Sequence, residues 1–400
     1  MEEVFVTRLK VAHVTTIDLT LRNLLLAQLV RLRDDGFEVV GISAPGPWVE
    51  DLEREGIRHV AWTNATRSWS PRADARAFAE LTSIFKRERF DLVHLHNPKP
   101  AVMGRVAGRL ARVPCVLNTV HGLYATPDDG LRKKIPVLGL EMLTSRLSDL
   151  ELYQSEEDLE WARRRHLVSK TRSRLLGNGT DLELFHPGAV SEARRREVRR
   201  ELGIPADALV VGTIGRMVVE KGYREFFAAA RSVRAALPQV QFVAVGDRDP
   251  DKSDALGDDE IEAASSDVVM AGWREDMPDV IAAMDVFVLA SWREGMPRSA
   301  IEAAAMSKPL VLTDIRGCRE VARHDVEGLL VPVRSENELA AAISKVLGDE
   351  SLRRRLGEAA RERAVQRFDE SRVAAIISTV THDALQRRGR LATTSAGAYR

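Results

Sequence analysis

The sequence predicts an α/β protein of two doubly wound, Rossmann-like domains, each a parallel sheet with helices on both faces, with a cleft between them. Three observations predict it. At 400 residues the chain is too long for one ordinary domain and suits two of roughly 150 to 200. Near-continuous apolar runs alternate with helical patterns along its whole length, and such runs belong to strands buried on both faces. The alternation pauses at a hinge-like stretch, GNGTDLELFHPG at 177–188, and then restarts.

Taken in order, the strands expected in the first half are LKVAHV (9–14), FEVVGIS (37–43), IRHVAW (57–62), DLVHLH (91–96), PCVLNTV (114–120) and DLELYQS (149–155). Helical patterns at 20–35, 72–88 and 100–112 separate most of them. The second half repeats the scheme with ALVVGTIG (208–215), VQFVAVG (240–246), DVVMAG (267–272), DVFVLAS (285–291) and PLVLTD (309–314). FDESRVAAIISTVTHDAL (368–385) reads as a helix capped at Asp369 or Ser371, and the tail 388–400 has little to bury and is expected to be disordered.

Composition narrows the function classes. Apolar residues at 44% and charged residues at 30% describe a soluble globular chain. Basic and acidic side chains balance at 59 each, which argues against a dedicated nucleic-acid binder. Two cysteines, Cys115 and Cys318, make neither a disulfide framework nor a cysteine metal site. MEEVFVTRLK lacks an apolar signal core, and no stretch is long and apolar enough for a membrane span, so a cytoplasmic chain is expected.

Open α/β sheets bind ligands beyond the carboxyl ends of their strands. In the first half, His121 follows strand 114–120 and precedes Gly122; it either faces a ligand or only hydrogen-bonds a nearby turn. His94 and His96 share one face of strand 91–96, but no third ligand stands near them in sequence, so a polar cleft wall is favoured over zinc.

In the second half, strand 208–215 runs into GRMVVEKGYREFF. Gly215 opens backbone access, and Arg216 and Lys221 place two cations where a helix begins near Gly222. A guanidinium and an ammonium at a helix N-terminus suit a diphosphate; two solvated loop cations are the plainer alternative. Glu294 and Glu302, in EGMPRSAIEAAAMSKP at 294–309, are eight positions apart, which is not a helical contact spacing. With Pro297 in the first turn of a helix, Glu294 lies in the loop before it, Glu302 inside it, and the amides of Gly295 and Met296 near its N-terminus. The two carboxylates then hold different ends of one extended ligand, and a nucleotide sugar fits: sugar hydroxyls on one, ribose hydroxyls on the other, phosphates between. Otherwise Glu302 is an exposed helix residue and Glu294 a cap. Asp247 and Asp249 in GDRDPDKSD are read as a polar loop rather than a metal pair.

Gly215-Arg216, Glu220-Lys221-Gly222, Glu294-Gly295-Met296-Pro297, Glu302-Ala303, Lys308-Pro309 and Glu320 resemble the nucleotide-binding domain of family 4 retaining glycosyltransferases, which have the GT-B fold. His96-Asn97, His121-Gly122 and TDIRGCREV (313–321) are similar to bacterial members that add sugars to polyprenyl-diphosphate-linked acceptors, so the implied acceptor is lipid-linked or a surface polysaccharide glycan. The resemblance covers most of residues 10–385.

It implies an acceptor-binding domain at 1–187, a nucleotide-sugar domain at 188–368 and a helix at 369–387 returning to the first domain. It implies that Arg216 and Lys221 bind the donor diphosphate, a UDP-sugar by expectation, and stabilise it as it leaves. Glu294 contacts the transferred sugar, Glu302 the ribose, and His121 lies near the reacting face; His96 and Asn97 fall on the acceptor side. No metal or other cofactor is implied. Two departures stand out: TTIDLTLRN after the first strand lacks the family's paired glycines, and Ser307 replaces the usual glycine, which is tolerable only if that backbone needs no positive φ.

The acceptor implies a membrane. In LRKKIPVLGLEMLTSRL (131–147), Arg132, Lys133 and Lys134 precede Ile135, Val137, Leu138 and Leu140, which either dock on the anionic inner face of the plasma membrane or form an ordinary buried helix. A nucleotide-sugar epimerase on a similar fold and a catalytically silent nucleotide-sugar binder are the alternatives. The sequence names neither the sugar nor an oligomeric state.

Overall fold

A computed structural model describes residues 8–67, 69–123, 125, 130–249, 252 and 254–391. Most of the 388–400 tail lies outside them. The chain divides into two compact units, Met1–Gly177 with Ser371–Arg400, and Asn178–Glu370. The division falls at the start of the 177–188 stretch, not at 187: Thr180 bridges to Asp369 and Phe185 packs in the second unit's core, so 178–187 already belongs to that unit.

The first unit holds a seven-stranded parallel sheet: β1 Lys10–Ile17, β2 Glu38–Ala44, β3 Arg58–Ala61, β4 Leu92–His96, β5 Cys115–Val120, β6 Leu150–Tyr153 and β7 Ser173–Leu175. The order is β3-β2-β1-β4-β5-β6-β7. Alternate residues feed separate cores. Val11, Leu92 and Leu117 pack on one face, where the helix Glu370–Arg387 adds Val373, Ile377, Val380 and Leu385. Ala12, Val93 and Val116 pack on the other, against the helices Pro71–Glu88 and Pro98–Leu110. The final helix thus returns to the first unit because its apolar stripe completes that core.

The second unit holds β8 Val210–Ile214, β9 Gln241–Val245, β10 Val268–Gly272, β11 Val286–Leu289, β12 Leu310–Thr313 and β13 Gly328–Val331, in the order β10-β9-β8-β11-β12-β13. Every pairing is parallel, so all carboxyl ends share one edge. β7 and β13 are the strands the sequence does not announce; three or four residues at a sheet edge carry too little pattern. Cys115 and Cys318 are free and buried.

Ser307 corrects an expectation: its φ is +56°, so the serine does occupy the left-handed region. That geometry costs an L-residue about 1–2 kcal/mol. Ser307→Gly is expected to raise stability by about 0.5 kcal/mol, the relief being partly offset by glycine's greater unfolded entropy, and Ser307→Val to lower it by about 1 kcal/mol; urea denaturation checks both.

Candidate active site

In the second sheet the strand order reverses between β8 and β11, whose parallel pairing sets Val286 beside Val211. That reversal is where open α/β sheets hold their ligands. Gly215 and Arg216 follow β8, and the loop carrying Glu294 follows β11. The two loops are in contact. Gly222 has φ +72°, and a Cβ there would stand 2.0 Å from the Ala290 carbonyl oxygen, so only glycine lets the helix Tyr223–Ala236 begin this close. Tyr223 fixes the turn by donating its hydroxyl to the Gly215 carbonyl at 2.5 Å.

Lys221 and Glu294 meet here. The ammonium lies 2.5 Å from Glu294 Oε1, which also accepts from Ser291 Oγ at 2.7 Å. Both side chains are largely buried, at 20% and 10% exposure. Gly317 backs the site: a Cβ would stand 2.6 Å from the Gly295 carbonyl oxygen. Pro297 occupies the position before the helix Arg298–Ala305, one residue earlier than its expected place in the first turn. The amides of Gly295 and Met296 precede that helix as expected.

Glu302 is not an exposed helix residue. It is 9% exposed, and burial raises its pKa while the Arg298 guanidinium, 2.9 Å from Oε1, opposes that rise. Arg298 also reaches Glu370 at 3.5 Å. Asp249 likewise exceeds its reading as a loop residue: buried, it takes the Arg216 guanidinium at 2.7 Å. Ser291 and Arg298 thus join the candidate site without having been picked out in the sequence, and Asp249 joins it after being read as a polar loop. A serine at the end of the expected strand 285–291 and an arginine four residues before Glu302 were the local signals. Lys308 lies elsewhere. It donates to the Ala282 and Met284 carbonyls before β11, at 3.1 and 2.6 Å, and burial lowers its pKa to about 8. Its part is to hold chain ends at the opposite edge of the sheet.

In the first unit the order reverses between β1 and β4, and the histidines gather there. The third imidazole missing from the sequence around His94 and His96 comes from β1: His13 pairs with His94 in register, and one ring nitrogen from each of the three lies within 4.8 Å of the others. The imidazoles bond to each other in series. His13 Nδ1 and His96 Nε2 are 3.1 Å apart, His96 Nδ1 and His121 Nε2 are 3.1 Å apart, and His121 in turn bonds Gln154. His94 Nε2 meets Thr119 Oγ1 at 2.7 Å. His13 Nε2 is buried without a partner. A bare lone pair there costs less than an orphaned N–H, which favours each ring of the series donating from Nδ1 toward Gln154. His121 is therefore held in one orientation rather than merely bonded to a turn. Asn97, next after β4, has φ +68° and ψ 159°, a region otherwise kept for glycine and a mark of functional strain.

Burial lowers the His13 pKa to about 3 and the His121 pKa to about 4, and drives His94 and His96 well down. All four stay neutral at neutral pH. In the unfolded chain they protonate near 6.5, so the unfolded state takes up protons first as pH falls. Stability is lost from about pH 6.5 down to the folded values, by up to about 1.4 kcal/mol per pH unit for each histidine. His13→Asn, which can keep the bond to His96, is expected to flatten the slope of melting temperature against pH between 6.5 and 4.

Two family models match the chain. One, described as Glycosyltransferase Family 4, matches residues 23–184, and the other, Glycosyl transferases group 1, matches residues 208–349. The chain belongs to the family 4 glycosyltransferases. This glycosyltransferase is 26% identical over 350 residues to the UDP-Gal:alpha-D-GlcNAc-diphosphoundecaprenol alpha-1,3-galactosyltransferase of Escherichia coli, covering 86% of this chain and 90% of that one. It is 27% identical over 348 residues to the N,N'-diacetylbacillosaminyl-diphospho-undecaprenol alpha-1,3-N-acetylgalactosaminyltransferase of Campylobacter jejuni, covering 86% and 90%. Among solved structures, Anabaena Alr3699/HepE in complex with UDP-glucose matches with TM-score 0.75 and 21% identity over 94% of this chain and 100% of that one. Sucrose-phosphate synthase from Thermosynechococcus elongatus matches with TM-score 0.78 and 22% identity over 95% and 100%. These likenesses confirm the GT-B fold.

Proposed function

We propose that this glycosyltransferase moves a sugar from a UDP-sugar to a polyprenyl-diphosphate-linked acceptor, with retention and without a bound metal. The observation that carries the reading is the Lys221–Glu294 pair at the β8/β11 reversal, with Arg216 on the same connection after β8 as Lys221. The relatives named for diphosphoundecaprenol acceptors support the acceptor class, and the family supports retention.

The chemistry follows from the leaving group. The bond from the anomeric carbon to the β-phosphate oxygen breaks, and its electron pair leaves with UDP. An acceptor hydroxyl bonds to the same face of that carbon and passes its proton to the departing oxygen. Lys221, Arg216 and the amides of Gly295 and Met296 meet the growing negative charge with fixed positive potential, which takes the part a metal plays elsewhere. Glu294 accepts from sugar hydroxyls and Glu302 from the ribose. His121, neutral and fixed, orients rather than carries charge.

Incubation with UDP-sugars and a prenyl-diphosphate-linked sugar, read by NMR of the new linkage, tests the reading. The expected product keeps the donor's anomeric configuration, at a rate unchanged by EDTA. Donor interconversion without transfer, or an inverted product, overturns it.

Work at the inner face of the membrane belongs to the same proposal. Among the described residues no helix is long and apolar enough to cross a membrane. The helix Leu131–Ser145, however, leaves Leu131, Ile135 and Leu143 at 69%, 66% and 61% exposure beside its basic start, which favours the docking alternative over a buried helix. Each basic residue contributes about 1 kcal/mol at an anionic surface. Glutamine at Arg132, Lys133 and Lys134 together is expected to weaken co-sedimentation with anionic vesicles about a hundredfold, as is high salt. Equal binding by variant and wild type removes the membrane role from this segment.

A further inference from the structure

The first unit contains a cavity of about 490 Å³ between the helices Pro98–Leu110 and Leu131–Ser145 and the end of β5. Ala101, Val102, Val120, Leu123, Val137 and Leu138 give its wall an apolar stretch, and Trp69 also lines it. Protein interiors are close-packed, and a void of this size has the volume of a ligand site rather than of a packing defect.

A buried ion network borders it. Arg105 is fully buried and spans the space between the two helices and β6. Its guanidinium reaches Glu141 at 2.9 Å, Glu151 at 2.8 Å and the Thr144 hydroxyl at 2.8 Å. Those bonds pin the C-terminal half of the helix Leu131–Ser145. In its N-terminal half Leu131 and Ile135 stay exposed while Val137 and Leu138 face the cavity.

Four polar side chains along the wall are already engaged. Glu141 is taken by Arg105, the Asn118 amide nitrogen by Glu151 at 2.8 Å, Thr119 by His94, and His121 by His96. Among the described wall residues Asn118 Oδ1 is buried without a partner, and the half-buried Asn97 side chain adds one further polar group. A sugar in this cavity would give up hydration for few polar partners, whereas a hydrocarbon has no hydration to give up. The same helix offers its outer face as the exposed apolar surface, so wall and membrane-facing patch are two sides of one element.

We propose that this cavity receives the diphosphate-proximal isoprene units of the acceptor, drawn from the bilayer past the helix Leu131–Ser145. The assignment rests on the lipid-linked acceptor proposed above. Its consequence is that recognition extends beyond the sugar and diphosphate into the first part of the chain. His121, on the cavity wall, then marks the end nearest the reacting sugar.

Two arms test it with the full chain. A diazirine-bearing farnesyl diphosphate is photolysed with the protein, and the labelled peptides are mapped. Labelling is expected within 97–105 and 136–141, suppressed by unlabelled farnesyl diphosphate but not by UDP. Labelling elsewhere, or none, overturns the proposal whatever the enzyme's acceptor proves to be. In the second arm, acceptors sharing one sugar-diphosphate head carry either a farnesyl or a methyl group. The farnesyl acceptor is expected to have at least a tenfold lower KM, and Val102→Trp, which fills the cavity, to erase that preference at an unchanged melting temperature. A preference that survives Val102→Trp, or equal KM values in the wild type, also overturns it. Labelling at the predicted peptides with no transfer to either acceptor would instead remove the proposed acceptor while leaving an isoprenoid site.

Discussion

Lys221→Ala is expected to lower turnover by about a hundredfold or more. Removing one fixed donor from a developing oxyanion costs on the order of 10² to 10³ in rate. On the proposed reading Lys221 is such a donor: it is 20% exposed, it stands after β8 at the point where the strand order reverses, and Glu294 locks its ammonium. Arg216→Ala is expected to cost less, nearer tenfold, because its side chain is 42% exposed and already shared with Asp249. A structural explanation must be separated from a catalytic one. Without Lys221, Glu294 keeps only the Ser291 hydroxyl in a site that is 10% exposed, and an unpaired charge left in such a site destabilises the fold. Lys221→Met combined with Glu294→Gln removes both charges and should restore the melting temperature. It should not restore turnover. Rates within about threefold of wild type for Lys221→Ala, or recovery of turnover in step with stability, would sink the assignment.

The fold was legible because parallel strands buried on both faces write themselves as apolar runs. The expected strand 91–96 and the observed β4 Leu92–His96 differ by one residue. What stayed hidden depended on contacts between distant segments. His94 and His96 were visible as a pair, but their partner His13 lies about 80 residues away and joins them only because β1 and β4 are neighbours in the sheet. Arg216 was visible as a cation, whereas Asp249, which holds it, arrives from the loop after β9. Lys308 is the opposite case. It stands in a recognisable run beside Pro309, yet its ammonium serves carbonyls at the far edge of the sheet, a distinction that strand direction settles and spacing does not. Arg105 drew no attention, because one arginine in a helical pattern looks like a solvated face until its neighbours bury it.

Glu302→Gln and Glu294→Gln should part the two ends of the donor. Glu302 is buried and steadied by Arg298 at 2.9 Å, so glutamine keeps its shape and removes only the charge offered to a ribose. A hydrogen bond to a charged group contributes about 1.5–3 kcal/mol, so UDP should bind roughly 10- to 100-fold more weakly to Glu302→Gln. Glu294 should behave differently. If its carboxylate holds the transferred sugar, UDP alone never meets it, and Glu294→Gln should bind UDP within about threefold of wild type. Loss of the ion pair also frees Lys221, which can only strengthen its attraction to a diphosphate. Transfer by Glu294→Gln should nevertheless fall a hundredfold or more, because the sugar is no longer held as charge develops at the anomeric carbon. Calorimetry with UDP, set beside turnover with the UDP-sugar, reads both quantities. Equal losses of UDP affinity in the two variants would place both carboxylates on the nucleotide and end the model of one extended ligand spanning Glu294 and Glu302.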